Sequence, residues 1–204
     1  GRKVQIVGSY RRLGELADKL EKFSYRVLKE DCLDLPPKVF TKRIVELTDE
    51  QKKIYDQMKQ MALAMLDGKL MSTVNVMTQL MRLHQVTCGT FKADDGTVTH
   101  LKNNRLTSLM DCLEETEGKV IIWATYREDI KKIVASLKKA YGEDSTVEYH
   151  GGVDATLRQD HIAQFQEKNS PTRYFVGNPQ TGGYGITLTA ANTMIYYSNS
   201  YDLE

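Results

Sequence analysis

Val120-Ile121-Ile122-Trp123-Ala124 is an unbroken apolar run, entered from Gly118-Lys119 and left through Thr125-Tyr126-Arg127. A strand with one face in water alternates apolar and polar residues. A short continuous run rich in β-branched residues instead predicts a strand buried on both faces, as in a parallel sheet. Upstream, Leu106, Leu109, Met110 and Leu113 recur at helical spacing up to Gly118. Downstream, Ile130, Ile133, Val134 and Leu137 mark a helix, Thr146-Val147-Glu148-Tyr149 a short strand, and Leu157, His161, Ile162 and Phe165 another helix. Tyr174-Phe175-Val176 and Thr193-Met194-Ile195-Tyr196-Tyr197 read as two more strands. Such alternation predicts an α/β unit, with function in the loops beyond the carboxyl ends of the strands.

The first hundred residues read differently. Leu13, Leu16, Leu20 and Phe23 give a helical stripe, broken by Leu33-Asp34-Leu35-Pro36-Pro37-Lys38. Val39 to Leu47 is expected to be a strand. Thr48, three residues before Gln51, has the spacing of a capping box. Ile54, Tyr55, Met58, Met61, Ala62 and Met65 give the helix that follows an apolar face, and a further helix carries Met77, Leu80, Met81 and His84 before Cys88-Gly89. Most of the eight methionines lie in this region, where they are expected to fill core gaps. Phe91 to His100, with Asp94-Asp95-Gly96, reads as a turn or hairpin tip. The expected division is a helical extension over 1–100 and an α/β domain over 101–204.

Composition narrows the class. With 41% hydrophobic and 27% charged residues in 204, the chain suits one or two globular domains. Its three cysteines, Cys32, Cys88 and Cys112, are far apart and form no metal-ligand spacing, so no metal site and an intracellular, reduced protein are expected. No apolar run approaches the roughly 20 residues of a membrane span. The net charge of +1 hides a basic amino-terminal portion, from Arg2 and Lys3 to Lys42 and Arg43, suited either to phosphates or to an exposed helix face.

Four loops hold the candidate chemistry. Thr125 with Glu128 has capping-box spacing, yet a helix start bearing Thr125, Tyr126 and Arg127 also suits a phosphate. His150-Gly151-Gly152 either lets the backbone approach a ligand or turns the chain, with His150 expected to be structural. Gly177-Asn178-Pro179-Gln180-Thr181-Gly182-Gly183-Tyr184-Gly185 has little side-chain bulk where N–H groups could face an anion. It is not a Walker loop, since no Lys-Ser or Lys-Thr follows. Asn199-Ser200-Tyr201-Asp202 reads equally as a turn.

In their order these pieces resemble the Swi/Snf-type superfamily-two helicase-like ATPases. Arg26, Lys29, Leu35-Pro36-Pro37-Lys38 and Val45 to Tyr55 are similar to the entry into that family's second lobe, and Met81 to Gly89 to the helical segment before it. Lys119 to Tyr126 resembles its motif four, Tyr149 to Gly152 through Phe165 the loop and helix that follow, and Thr181 to Ala191 its motif five. The chain departs where Asn178-Pro179 replaces a hydroxyl pair, Gln180 an Arg, Thr187 an Asn, and Tyr201-Asp202-Leu203 a Trp-Asn-Pro.

The resemblance implies a RecA-like, P-loop NTPase-type fold acting as the second motor lobe of an ATP-dependent duplex-DNA translocase. It places Thr125, Tyr126, Arg127, Gly151, Gly152, Gln180, Thr181 and Gly182 along the DNA backbone, Gly183 and Gly185 on the nucleotide side, and Tyr184 at the lobe interface. It also implies that the phosphate-binding Lys and the magnesium-binding acidic pair belong to the first RecA-like lobe, and that the finger arginines lie beyond Glu204. No catalytic residue is then expected in this chain, ATP and Mg2+ being cofactors of the longer protein. Two other classes compare poorly or remain open. A Rossmann-type enzyme would carry its glycine loop after the first strand, whereas here it follows the last but one. A non-catalytic nucleic-acid-binding or partner-binding domain lacks a Walker loop just as this chain does, and upstream sequence would separate it from a motor.

Overall fold

The structure, a computed structural model, describes residues 11–25, 27, 28, 37–67, 73–92, 96–182 and 185–199. The chain divides into two compact units, Gly1–Arg43 and Ile44–Glu204. In the first, α1 (Leu13–Glu21) has the expected spacing, but Leu13, Leu16 and Leu20 all remain exposed.

The second unit opens with α2 (Asp49–Asp67) and α3 (Thr73–Thr87), then the antiparallel hairpin β1 (Thr90–Lys92) and β2 (Val98–His100). The Thr48–Gln51 capping box forms: the Gln51 N–H donates to Thr48 Oγ1 at 3.3 Å and the Thr48 N–H to Gln51 Oε1 at 3.1 Å. Gln51 is also buried, and its Nε2 donates to the Val86 carbonyl at 2.8 Å, tying the start of α2 to the end of α3.

Two expectations fail here. Residues 39–47 form no strand, and Val39, Phe40 and Ile44 are exposed rather than buried on a sheet. Nor do the methionines simply fill a core. Met61, Met77 and Met81 are exposed, since α2 and α3 pack mainly on each other and leave their outer faces uncovered among the described residues.

The α/β part runs α4 (Arg105–Glu114), β3 (Lys119–Trp123), α5 (Arg127–Tyr141), a 3-10 turn at Glu143–Ser145, β4 (Thr146–Tyr149), α6 (Ala155–Gln166), β5 (Tyr174–Gly177), α7 (Pro179–Gly182) and β6 (Ala191–Tyr196). Its four strands are all parallel, in the order β4-β5-β3-β6. This is the expected sheet, with β3 in its interior. Val120 and Ile122 point into a core with Leu109 and Leu113 of α4 and Ile130, Ile133 and Leu137 of α5. Ile121 and Trp123 point the other way, onto Val147, Tyr149, Phe175 and Phe165 of α6. That two-sided burial is why the run has no polar residue.

α5 is made by its sequence. Glu128 and Asp129 sit in its first turn and Lys138 and Lys139 in its last, each sign opposing the helix dipole, and Gly142 at φ 98° ends it. At the amino-terminal edge of the sheet, Lys119 Nζ donates to the Phe165 and Glu167 carbonyls at 2.6 and 2.8 Å. Arg173 there binds the carbonyls of Leu113, Thr116 and Gly118. These cations satisfy helix ends and leave the opposite edge as the place for a site.

Candidate nucleic-acid interface

At the carboxyl edge of the sheet the turns after β3, β4 and β5 meet. Strand ends interlock first: the Ala124 N–H donates to the Gly177 carbonyl, Asn178 N–H to Tyr149, and Tyr197 N–H to Trp123, at 2.8–2.9 Å. Asn178 then joins the loops. Its Nδ2 donates to the Thr125 carbonyl at 2.7 Å, while its Oδ1 accepts from the Gln180 N–H at 2.8 Å. The N–H groups of Thr181 and Gly182 turn back onto its own carbonyl, closing α7.

Thr125 does not cap α5. Tyr126 is the N-cap residue and has no side-chain capping bond. The Thr125 hydroxyl instead donates to the Ser198 carbonyl at 3.0 Å, and the Thr125 N–H donates to Ser198 Oγ at 2.9 Å. The end of β6 competes successfully for the groups that a capping box would use. Tyr126 leans the other way: its hydroxyl lies 2.9 Å from His84 Nδ1 on α3, with the rings 5.5 Å apart. Burial, and secondarily the nearby Arg105 charge, lowers the His84 pKa.

Arg127 is exposed and reaches across to the turn after β4. A Cβ placed on Gly151 would lie 3.5 Å from Arg127 Nη2 and 3.9 Å from Thr181 Oγ1, and one on Gly152 would lie 3.7 Å from Arg127 Nη1. The guanidinium therefore covers the glycine pair, with the Thr181 hydroxyl alongside. His150 is hydrogen-bonded within its own turn. Its Nδ1 accepts the Gly152 N–H at 3.0 Å, so the proton sits on Nε2, 3.4 Å from Glu148 Oε2. Asp154 starts α6 by accepting the Thr156 N–H at 2.8 Å, a bond that lowers its carboxyl pKa.

The glycine loop is less uniform than its composition. Gly182 is buried, and a Cβ there would come within 2.9 Å of the Trp123 ring, so its smallness serves packing. The N–H groups of Gln180, Thr181 and Gly182 are committed to Asn178, leaving side chains, not these amides, to meet an anion. Gly185 has φ 78°, and among the described residues nothing lies within 4 Å of its Cβ position. Gly183, Tyr184 and the Ser200–Asp202 part of the fourth loop lie outside the described residues. Among the described residues no cluster of three His, Cys, Asp or Glu side chains is close enough to hold a metal ion.

Arg127, Gly151, Gly152 and Thr181, taken from three separate turns, are thus brought together, with the exposed Gln180 on the same short helix as Thr181. A profile of the helicase conserved C-terminal domain matches residues 101–204, which contain all of these turns. The chain belongs to the helicase conserved C-terminal domain family. The chain is 26% identical over 201 residues to Bacillus subtilis YwqA, named as a candidate ATP-dependent helicase/translocase; the match covers 92% of this chain and 21% of YwqA. It is similar to the Sulfolobus solfataricus SWI2/SNF2 ATPase C-terminal domain, at TM-score 0.61 and 21% identity, over 75% of this chain and 68% of that one. The SWI2/SNF2 ATPase core domain from the same organism matches at TM-score 0.66 and 23% identity, over 90% of this chain and 40% of that one. Its fold is therefore that of the Swi2/Snf2 ATPase C-terminal domain, a parallel sheet flanked by helices. The chain spans about a fifth of the length of the curated relatives it matches first.

The sequence did not reveal Ser198 or His84 as the partners of the first turn. Nor did it reveal Asn178 as the knot, although Asn-Pro directly after a strand is the signature of an N-cap followed by proline at the first helical position.

Proposed function

We propose that this domain is the second motor lobe of an ATP-dependent duplex-DNA translocase, supplying phosphate contacts and one wall of the inter-lobe ATP cleft. The observation that carries the reading is the Arg127 guanidinium lying over Gly151-Gly152 beside Thr181 at the carboxyl edge of the sheet. A cation, a hydroxyl and two residues without side chains form a shallow, positively charged contact that a phosphodiester fits and a base edge does not need. Gln180 extends the contact along the strand. Thr125 and Tyr126 act behind it, holding the turn to β6 and α3, and Gly182 acts by its fit against Trp123. Gly183 and Gly185 are assigned to the nucleotide side. The phosphate-gripping lysine, the magnesium ligands and the finger arginines come from other parts of the longer protein, with the first RecA-like lobe as the direct partner.

The test is fluorescence anisotropy of the 204-residue chain with two duplexes of unrelated sequence across a salt series. Both duplexes are expected to bind weakly and equally, with affinity falling as salt rises, and Arg127→Ala should reduce the logarithmic salt slope by about one. Salt-insensitive binding, or a strong preference for one duplex, would sink the reading.

A further inference from the structure

Behind the Thr125–Arg127 turn lies a buried polar junction that the phosphate contact does not use. Asp129, in the first turn of α5, is 1% exposed, and among the described residues no N–H or O–H group donates to either carboxylate oxygen; the side chain that meets it is the Cys88 thiol. The groups around it come from each neighbouring element. Cys88, the residue after α3, acts on it, as do Arg105 of α4, Tyr197 at the end of β6, and Glu128 and Lys132 of α5 itself; His84 lies one step removed, its Nε2 3.9 Å from Cys88 Sγ. His100 of β2 acts on Glu128. Arg105 holds this junction closed: its Nη1 donates to the Tyr197 carbonyl at 2.9 Å and lies 3.2 Å from Cys88 Sγ. Tyr197 leads directly into Ser198, the residue that holds both the N–H and the hydroxyl of Thr125.

We propose that Arg105 and Asp129 are positioning residues for the Thr125–Arg127 turn, Arg105 choosing between the Tyr197 carbonyl and the Asp129 carboxylate. A buried carboxylate that only a weakly donating thiol meets costs stability wherever it is ionised, so its place within the field of a guanidinium already engaged elsewhere favours a second arrangement in which the two meet. When Asp129 is neutral, Arg105 stays on Tyr197 and the end of β6 is fixed. When it is ionised, the guanidinium is drawn away and Ser198 loosens its hold on Thr125. Burial raises the Asp129 pKa to about 6, so the exchange falls in an accessible range. Burial, and secondarily the Arg105 charge, lowers the His84 pKa and so disfavours its cation. The assignment rests on the proposed phosphate contact only for its consequence, not for its existence.

The experiment is an NMR titration of the 204-residue chain from pH 4.5 to 8, following the amides of Thr125, Tyr126, Arg127 and Ser198 and the Arg105 Nε–H. A shared transition with a midpoint near 6 is expected, lost in Asp129→Asn and kept in His84→Gln. Arg105→Gln should abolish the pH response of the same amides, and Arg105→Lys should restore part of it. A transition that survives in Asp129→Asn, disappears in His84→Gln, or is absent from the folded chain overturns the proposal. If the transition is present while duplex DNA fails to bind at any salt concentration, the junction stands and the phosphate reading falls.

Discussion

Two residues carry opposite kinds of cost. For Asp129, burial raises the folded pKa from 3.8 to about 6, against the weaker opposing pull of Lys132 and Arg105. An acid with a raised folded value holds its proton where the unfolded chain has already lost it. Its penalty is therefore absent below the unfolded value, grows as pH climbs, and is complete above about 6, with a ceiling of roughly 3 kcal/mol. Asp129→Asn is expected to raise the melting temperature at pH 7.5 and to give no gain at pH 4, read by calorimetry at the two pH values. An equal gain at both would mean that the carboxylate's charge is not what costs stability. Gly182 shows a steric cost instead. Its missing Cβ makes room for the Trp123 ring, which is walled in by β5 and Ile186. Gly182→Ala should destabilise by about 1–3 kcal/mol through overpacking, measured by urea unfolding. A neutral result would show that Trp123 can shift.

At the scale of elements, α7 has only four residues, Pro179–Gly182, and depends on Asn178. That side chain caps α7 and pins the Thr125 carbonyl, so its truncation removes a cap and a bridge between two loops together. Asn178→Ala is expected to cost about 1–2 kcal/mol and to weaken duplex binding as much as Arg127→Ala does. Loss of stability with unchanged DNA affinity would confine Asn178 to capping. The parallel sheet was legible because β3 is buried on both faces and its neighbours alternate with amphipathic helices; periodicity reports burial. The loops were legible only as a set. Residue types showed that Arg127, the Gly151-Gly152 pair and Thr181 were candidates, but their meeting depends on strand order β4-β5-β3-β6, a nonlocal fact. The same limit explains the failures. Thr125 has capping-box spacing, and only the distant Ser198 diverts it; Val39 to Leu47 has strand composition, and only a neighbouring edge could have made it one.

For the whole molecule, Arg127 over the Gly151-Gly152 pair lies at one place and the positive-φ Gly185 at another, joined by the loop that leaves β5. If that loop couples DNA to nucleotide, the 204-residue chain alone should show no ATPase above background, with or without DNA, because the phosphate grip is expected in the other lobe. Hydrolysis by clean protein, abolished by a change at Gly185, would overturn this division of labour. The coupling itself is tested in the two-lobed protein with Gly185→Val. Among the described residues a side chain there meets no atom within 4 Å, but it must adopt φ 78°, which a β-branched residue resists at a cost of about 1–2 kcal/mol. The variant should therefore stay folded, with a modest drop in melting temperature. If Gly185 lies against the nucleotide when the lobes close, the added bulk should cut DNA-stimulated turnover by about an order of magnitude or more, on the scale of losing one positioned transition-state donor. Turnover and melting temperature measured side by side separate the two causes. A folded variant with full DNA-stimulated turnover would remove Gly185 from the coupling path, and activity lost only in step with folded protein would reduce the glycine to a turn former.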